Sequence, residues 1–175
     1  GPMLKALGQL TGADSIRELA RAGESKRAEF KQAFSWDSRK QKKDRNLEEK
    51  SLKTIVAFLN SEGGDRLVGV SDNGEIRGVE SEVKNLHKGN VDKLLLHVKN
   101  RIKDTIGEQF YPLLEQRMVK IDGVTVLWIH CARSEIPAYL NEVSFYVRTT
   151  PATDKLEGYK FVEYLRVRFG LEHRK

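Results

Sequence analysis

The sequence predicts an α+β domain: a mixed, mostly antiparallel sheet of about six strands with about four helices. Three observations carry that expectation. Segments with helical apolar spacing are interleaved with short alternating or buried apolar runs. Two turn signatures, Asp72-Asn73-Gly74 and Asp122-Gly123, each separate two apolar runs, as hairpins require. Gly63-Gly64 stops the helical run Ile55-Val56-Ala57-Phe58-Leu59-Asn60, since a helix end needs the positive φ that glycine accepts.

Taken in order, Gly1-Pro2 reads as a cleavage scar, residues 3–23 as a helical segment, 24–170 as the domain and 171–175 as a basic tail. The first helix is expected to break at Gly8 and Gly12; its second half, Ser15 to Ala22, is capped by Asp14 or Ser15 and stopped by Gly23. Glu24 falls in the loop that follows. From Arg27 to Trp36 the residues alternate, with Ala28, Phe30, Gln32 and Phe34 on one side, the pattern of a strand with one buried face.

Ser38 to Arg45 carries five basic residues and one acid, which suits a solvated mobile loop or a phosphate-neutralising one. A helix begins at Asn46 and ends at the Gly-Gly stop; Leu67 to Val70 and Ile76 to Val79 form the hairpin around Asp72. Val91 to Ile106 is a second amphipathic helix, Leu113–Ile121 and Val124–Cys131 a second hairpin, and Ser144 to Arg148 a short strand. Thr149 to Thr153 is a turn, and Asp154 caps a last helix.

Length and composition narrow the function classes. The chain has 175 residues, enough for one domain with a real core, and its formal net charge is +6. That balance favours an acidic partner, nucleic acid above all. Cys131 is the one cysteine and sits in an apolar strand run, so it is expected buried, without disulfide or zinc chemistry, in a reducing, cytoplasmic compartment. No apolar run approaches the ~20 residues of a membrane span. The four histidines are scattered, with no two at ligand spacing.

Four motifs together resemble the Schlafen-type AlbA-like (AlbA_2) domain. Glu24-Ser25-Lys26-Arg27-Ala28-Glu29-Phe30-Lys31 is similar to the family's opening ESxxxEFK. Ala57 to Gly64 resembles its AFANTxGG segment, and Leu67 to Ile76 its LxIGVxDDGxI hairpin. Pro137-Ala138-Tyr139-Leu140, then Phe145-Tyr146-Val147-Arg148-Thr149, resembles its closing PxYL and YxRxG, with Thr149 replacing the glycine. The resemblance implies nucleic-acid binding. Vertebrate Schlafens carry the domain twice, as a basic clamp, and some cleave transfer or ribosomal RNA with three carboxylates and a divalent metal.

Carried over by position, those carboxylates fall on Glu24, Glu29 and Asp72, which the resemblance makes catalytic residues and ligands of Mg²⁺ or Mn²⁺. An all-oxygen set selects such hard cations. Lys31, on the face of Glu29, is expected to neutralise the scissile phosphate. Taken without the resemblance, Glu29 and Lys31 also read as an exposed ion pair and Asp72 as turn chemistry. Arg27, Arg39, Lys40, Lys42, Lys43, Arg45, Arg148 and Lys155 are the expected nucleic-acid contacts, and Trp36 is either a base-stacking platform or a core residue.

The expected partner is therefore RNA (tRNA or rRNA), with DNA as the alternative. A single copy is expected to form a homodimer in place of the tandem clamp. A metal-dependent endoribonuclease stands first, a non-catalytic DNA/RNA-binding module second, and a protein-interaction domain third.

Overall fold

The computed structural model describes residues 2–171, with side chains from residue 12 onward. Gly1 of the expected scar and residues 172–175 of the expected tail lie outside the described residues.

Helix α1 (Pro2–Ala22) passes through Gly8 and Gly12 without breaking. An interior glycine costs only about 1 kcal/mol, and Ile16 and Ala20 offset it by burying against Phe30, Leu67, Ile121 and Val126.

The expected strand from Arg27 to Trp36 is split into β1 (Ala28–Lys31) and β2 (Trp36–Asp37). The cause lies far along the chain. Glu82, buried in α3 (Glu80–Leu86), accepts the Phe34 and Ser35 N–H groups at 2.8 and 2.6 Å, so neither continues a sheet ladder. The basic run is not a mobile loop. β2 pairs antiparallel with β3 (Lys42–Lys43), and Asp37 Oδ1 accepts the Arg39 and Lys40 N–H groups in the turn between them.

Asp44 caps α2 (Arg45–Asn60) by accepting from Asn46 and Leu47. After it, a Cβ on Gly63 would stand 2.6 Å from the Cys131 carbonyl, and one on Gly64 would stand 2.5 Å from Phe58. The Gly-Gly pair is therefore required by close packing as well as by helix termination.

β4 (Gly64–Val68) runs parallel to β1 and antiparallel to β6 (Val124–Cys131), which hairpins with β5 (Leu114–Ile121); the sheet order is β1-β4-β6-β5. The Asp72 hairpin is reduced to a single bridge between Val70 and Ile76. Arg77 and Gly78 both donate to the Gly69 carbonyl, and Val79 N–H turns to Thr125 O on β6, so no second strand forms.

Helix α4 (Val91–Thr105), capped by Asn90, leads through a 3-10 turn (Glu108–Leu113) into β5. β7 (Phe145–Arg148) pairs with β8 (Thr153–Leu156), a strand that stands where the last helix was expected. Asp154 accepts from Thr149 Oγ1 inside that hairpin, and α5 begins only at Gly158, running to Phe169. The α+β class holds, with the strands divided among one four-stranded mixed sheet and two small ribbons.

The larger core lies between the sheet and α2/α4, where Phe58, Leu59, Val68, Leu94, Val98, Ile102, Leu127 and Ile129 are all fully buried. Each such side chain stabilises the fold by about 1.5–3 kcal/mol relative to exposure. Cys131 is buried there, and burial pushes its thiol far above the ordinary range, so it is not a nucleophile. No helix among the described residues is long and apolar enough to cross a membrane.

Candidate functional site

The C-terminus of α2 organises the site. The Asn60 amide donates to Ala138 O and Tyr146 O and accepts from Ala138 N, which ties α2 to the β7 segment. Tyr164 and Arg168 of α5 bind the carbonyls of Leu59, Asn60 and Ser61 from the other side. Ser61 Oγ then accepts the Arg148 N–H at 2.9 Å, and so fixes where β7 delivers its last side chain.

Arg148 was expected on the outer face as a phosphate contact. It is buried instead, with 1% of its side chain exposed. Its guanidinium donates to Glu29 Oε2 at 2.8 Å, to Ser25 O at 2.6 Å, to Lys26 O at 3.2 Å and to Thr153 Oγ1 at 3.1 Å. It is therefore the clamp that shapes the Glu24–Arg27 loop, and four of its five N–H groups are already engaged within the protein.

Glu29 on β1 faces the same interior and is 15% exposed. A second buried cation, Arg66 of β4, stands 3.9 Å from Glu29 Oε1 and donates to Ser51 Oγ at 2.7 Å. Burial pulls the Arg66 guanidinium down to about 10, which still leaves it charged at neutral pH. Register explains the meeting, because Glu29 and Arg66 are cross-strand partners on β1 and β4.

Of the three predicted acids, Glu24 feels the charge of Glu29 strongly and that of Asp72 only weakly. Glu24 Oε2 accepts the Phe30 N–H at 3.3 Å, folding the loop back onto β1. Burial raises the Glu24 carboxyl; the Glu29 charge pushes it further, and Asp72 adds a smaller push. Asp72 is held nearby by packing. A Cβ on Gly74 would stand 2.3 Å from Ala20 O, so the turn lies against the end of α1, three residues before Gly23 leads to Glu24. Ser71 braces that turn through Asn73 and the Glu75 N–H.

Lys31 Nζ stands 3.9 Å from Asp72 Oδ1, and the Asp72 side chain is 74% exposed. Three acids thus face three cations, Arg66, Arg148 and Lys31.

The donor chemistry is of the kind a hard divalent cation takes, since all three side chains are carboxylates, and Glu24 is raised chiefly by its burial. The gathering is incomplete, because Glu29 is engaged by two arginines and no three His, Cys, Asp or Glu side chains among the described residues form a ready metal cluster.

The expected nucleic-acid contacts separate into two groups. Arg27 is paired with Glu62 at 3.0 Å and Lys155 with Glu157 at 3.1 Å, so both are partly neutralised. Arg39, Lys40, Lys42, Lys43 and Arg45 are exposed on and after the β2–β3 hairpin. Trp36 is 8% exposed and is a core residue, not a stacking platform.

Two features escaped the sequence. Arg66 is one; its signal was a second charged residue, beside Asp65, leading directly into the apolar run Leu67–Val70. The other is Glu48, which engages His97 and Arg101, while His87 stacks on His97 with ring centroids 5.6 Å apart. The histidines are therefore not all scattered.

The profile of the family described as "Schlafen, AlbA_2" matches residues 24–157. Among solved structures, the crystal structure of the DIP2311 protein from Corynebacterium diphtheriae superposes with a TM-score of 0.57 at 19% identity, over 90% of this chain and 32% of that one. At that identity the likeness is one of fold, and this chain spans about a third of the length of that protein. No curated protein matches the sequence. With three quarters of its length matched, in the segment that contains Glu24, Glu29, Asp72 and the β2–β3 hairpin, the chain belongs to the Schlafen AlbA_2 family.

Proposed function

We propose that this domain binds RNA and cleaves it as a divalent-metal-dependent endoribonuclease, with structured RNA such as tRNA as substrate. The observation that supports the reading is the closeness of Glu24 and Glu29 on the side of Asp72, with the Glu24 carboxyl raised by burial and by the Glu29 charge. A carboxyl perturbed by burial and by a neighbouring charge marks functional sites more often than ordinary surface.

Glu24, Glu29 and Asp72 would hold Mg²⁺ or Mn²⁺. A bound cation of this kind stabilises charge developing on a phosphodiester and lowers the pKa of bound water. The chain's own residues supply the rest. Arg148 and Arg66 fix the Glu29 carboxylate, and Arg148 also fixes the loop that presents Glu24. Lys31, on the rim beside Asp72, is placed to meet a phosphate oxygen. The β2–β3 hairpin offers Arg39, Lys40, Lys42 and Lys43 for backbone neutralisation.

Incubation of the protein with total tRNA and Mn²⁺ tests this. Cleavage is expected, lost with a chelator and lost in Asp72→Ala. Cleavage indifferent to both would refute the reading.

A second reading, a non-catalytic RNA- or DNA-binding module, is favoured by one observation: Glu29 is engaged by two arginines, as a purely structural counter-ion would be. Unchanged tRNA in every metal, together with salt-sensitive binding, would select it. The dimeric clamp remains a proposal from the family's architecture, and a monomer mass by light scattering at high concentration would oppose it.

A further inference from the structure

A second charged recess lies on the α2–α4 face, and none of Glu24, Glu29, Lys31 or Asp72 lines it. A cavity of about 460 Å³ runs between the two helices, and a neighbouring one of about 400 Å³ opens beside it; Lys43 and His97 line both. At the wall of the first sits Glu48, with 8% of its side chain exposed. Both of its oxygens are occupied: His97 Nε2 is 3.0 Å from Oε2, and Arg101 Nε donates to Oε1 at 2.6 Å.

Burial works against ionisation of Glu48, yet the hydrogen bonds and charges of His97 and Arg101 outweigh it and hold the carboxyl below its usual range. Its negative charge is thus already answered from within. The other acid of the recess, Glu49, faces Lys53 at 3.6 Å.

The cations are less satisfied. Lys43, Arg45 and Lys93 line the two cavities and make no ion pair among the described residues. The outer nitrogens of Arg101 remain beyond the one it gives to Glu48. His87 stacks on His97, and its Nε2 is buried with no hydrogen-bond partner. Burial lowers the His87 imidazole, and the nearby His97 and Lys43 lower it further, as expected beside a wall with surplus positive charge. A concave surface with unanswered cations and a neutralised carboxylate attracts a dianion.

We propose that this recess is a second phosphate-binding site for the nucleic-acid strand, separate from the acid corner. This rests on the reading that the domain's partner is nucleic acid. Lys43 links the two regions: it ends the β2–β3 hairpin, which begins five residues after Lys31, and it also lines the recess. A strand lying at the acid corner follows the hairpin and places a further phosphate on Lys43, Arg45, Arg101 and Lys93. Arg101 serves as a positioned donor because Glu48 fixes one side of its guanidinium.

The test is fluorescence anisotropy of a labelled single-stranded RNA, repeated over a salt series, alongside a labelled mononucleotide. Lys93→Glu changes an exposed side chain, and Arg101→Lys keeps the charge while losing the fork; thermal melting checks that both fold. Lys42→Glu, on the hairpin, reports on nucleic-acid binding outside the recess. The expected result is that Lys93→Glu weakens RNA binding by roughly five- to ten-fold at low salt and lowers the salt slope by about 1. Arg101→Lys weakens it less, and the mononucleotide binds far more weakly than the strand.

If Lys42→Glu weakens RNA binding while Lys93→Glu and Arg101→Lys do not, the recess proposal is overturned and the nucleic-acid reading stands. If Lys93→Glu weakens the mononucleotide alone, the recess takes a free phosphorylated ligand, and its assignment to the strand is overturned. If the wild type binds no RNA, both fail.

Discussion

Two glutamates of this domain are each held by two cationic or proton-bearing side chains, yet their surroundings diverge. Glu29 is gripped by Arg148 and Arg66, and Glu48 by Arg101 and His97. Around Glu29 the further charges are acids, and Glu24 is raised; around Glu48 they are lysines and arginines, and Glu48 is lowered. The same local device, a carboxylate pinned by an arginine, therefore anchors both the corner proposed for a cation and the recess proposed for a phosphate. What surrounds the pin decides which.

The comparison is broken most severely by removing a pin. Arg148→Ala would leave Glu29 with Arg66 alone and would strip hydrogen bonds from the Ser25 and Lys26 carbonyls. A loss of about 3–5 kcal/mol is expected, the usual result of breaking a buried pair, measured by urea denaturation. Arg101→Ala should cost less, about 1–3 kcal/mol, because its side chain is 37% exposed and His97 remains on Glu48. Equal losses would mean that the two pins are not different in depth.

Glu24→Gln sharpens the comparison through pH. The folded Glu24 carboxyl titrates above its ordinary value, so the folded state holds its proton more tightly than the unfolded chain. Stability from this group is full below the ordinary carboxylate pKa and declines as pH rises toward the folded value. Glu24→Gln removes that decline. At neutral pH the variant is expected to melt higher than the wild type by no more than about 2–4 °C, the shift that ~1 kcal/mol gives a chain of this size. A lower melting temperature at neutral pH would contradict the charge repulsion assigned to this corner.

The smallest stability effect is expected at Asp72. Its side chain is 74% exposed on a turn braced by Ser71 and Asn73, so Asp72→Ala should stay within about ±0.5 kcal/mol. Its effect on RNA cleavage is expected to be complete. Function and stability separate at this residue as they do not at Arg148.

Much of this was legible in the chain, and the exceptions share a cause. The Gly63-Gly64 stop, the β5–β6 hairpin, α2 and α4 are set by neighbours in sequence, and local pattern reveals them. The candidacy of Glu24, Glu29 and Asp72 came from the motif resemblance, and the packing of Gly74 on α1 brings the Asp72 turn to the end of the helix that precedes Glu24.

What stayed hidden depends on partners far along the chain. Arg148 looked like an outward cation because strand alternation cannot foresee a carboxylate 119 residues away. The strand expected through Trp36 was interrupted by Glu82, 48 residues beyond Phe34. Glu48 lies on α2 and His97 and Arg101 on α4, and only the packing of the two helices brings them together. Asp154 had every local feature of a helix cap, yet β7 recruited its segment as a strand.

Titration of Mn²⁺, followed by paramagnetic resonance of the free ion, tests most directly whether the acid corner attracts a cation while the recess does not. The prediction is saturable binding to the wild type that is lost in both Glu24→Gln and Asp72→Ala and unchanged in Lys93→Glu. Binding that survives the two acid substitutions, or is absent from the folded wild type, would contradict the account.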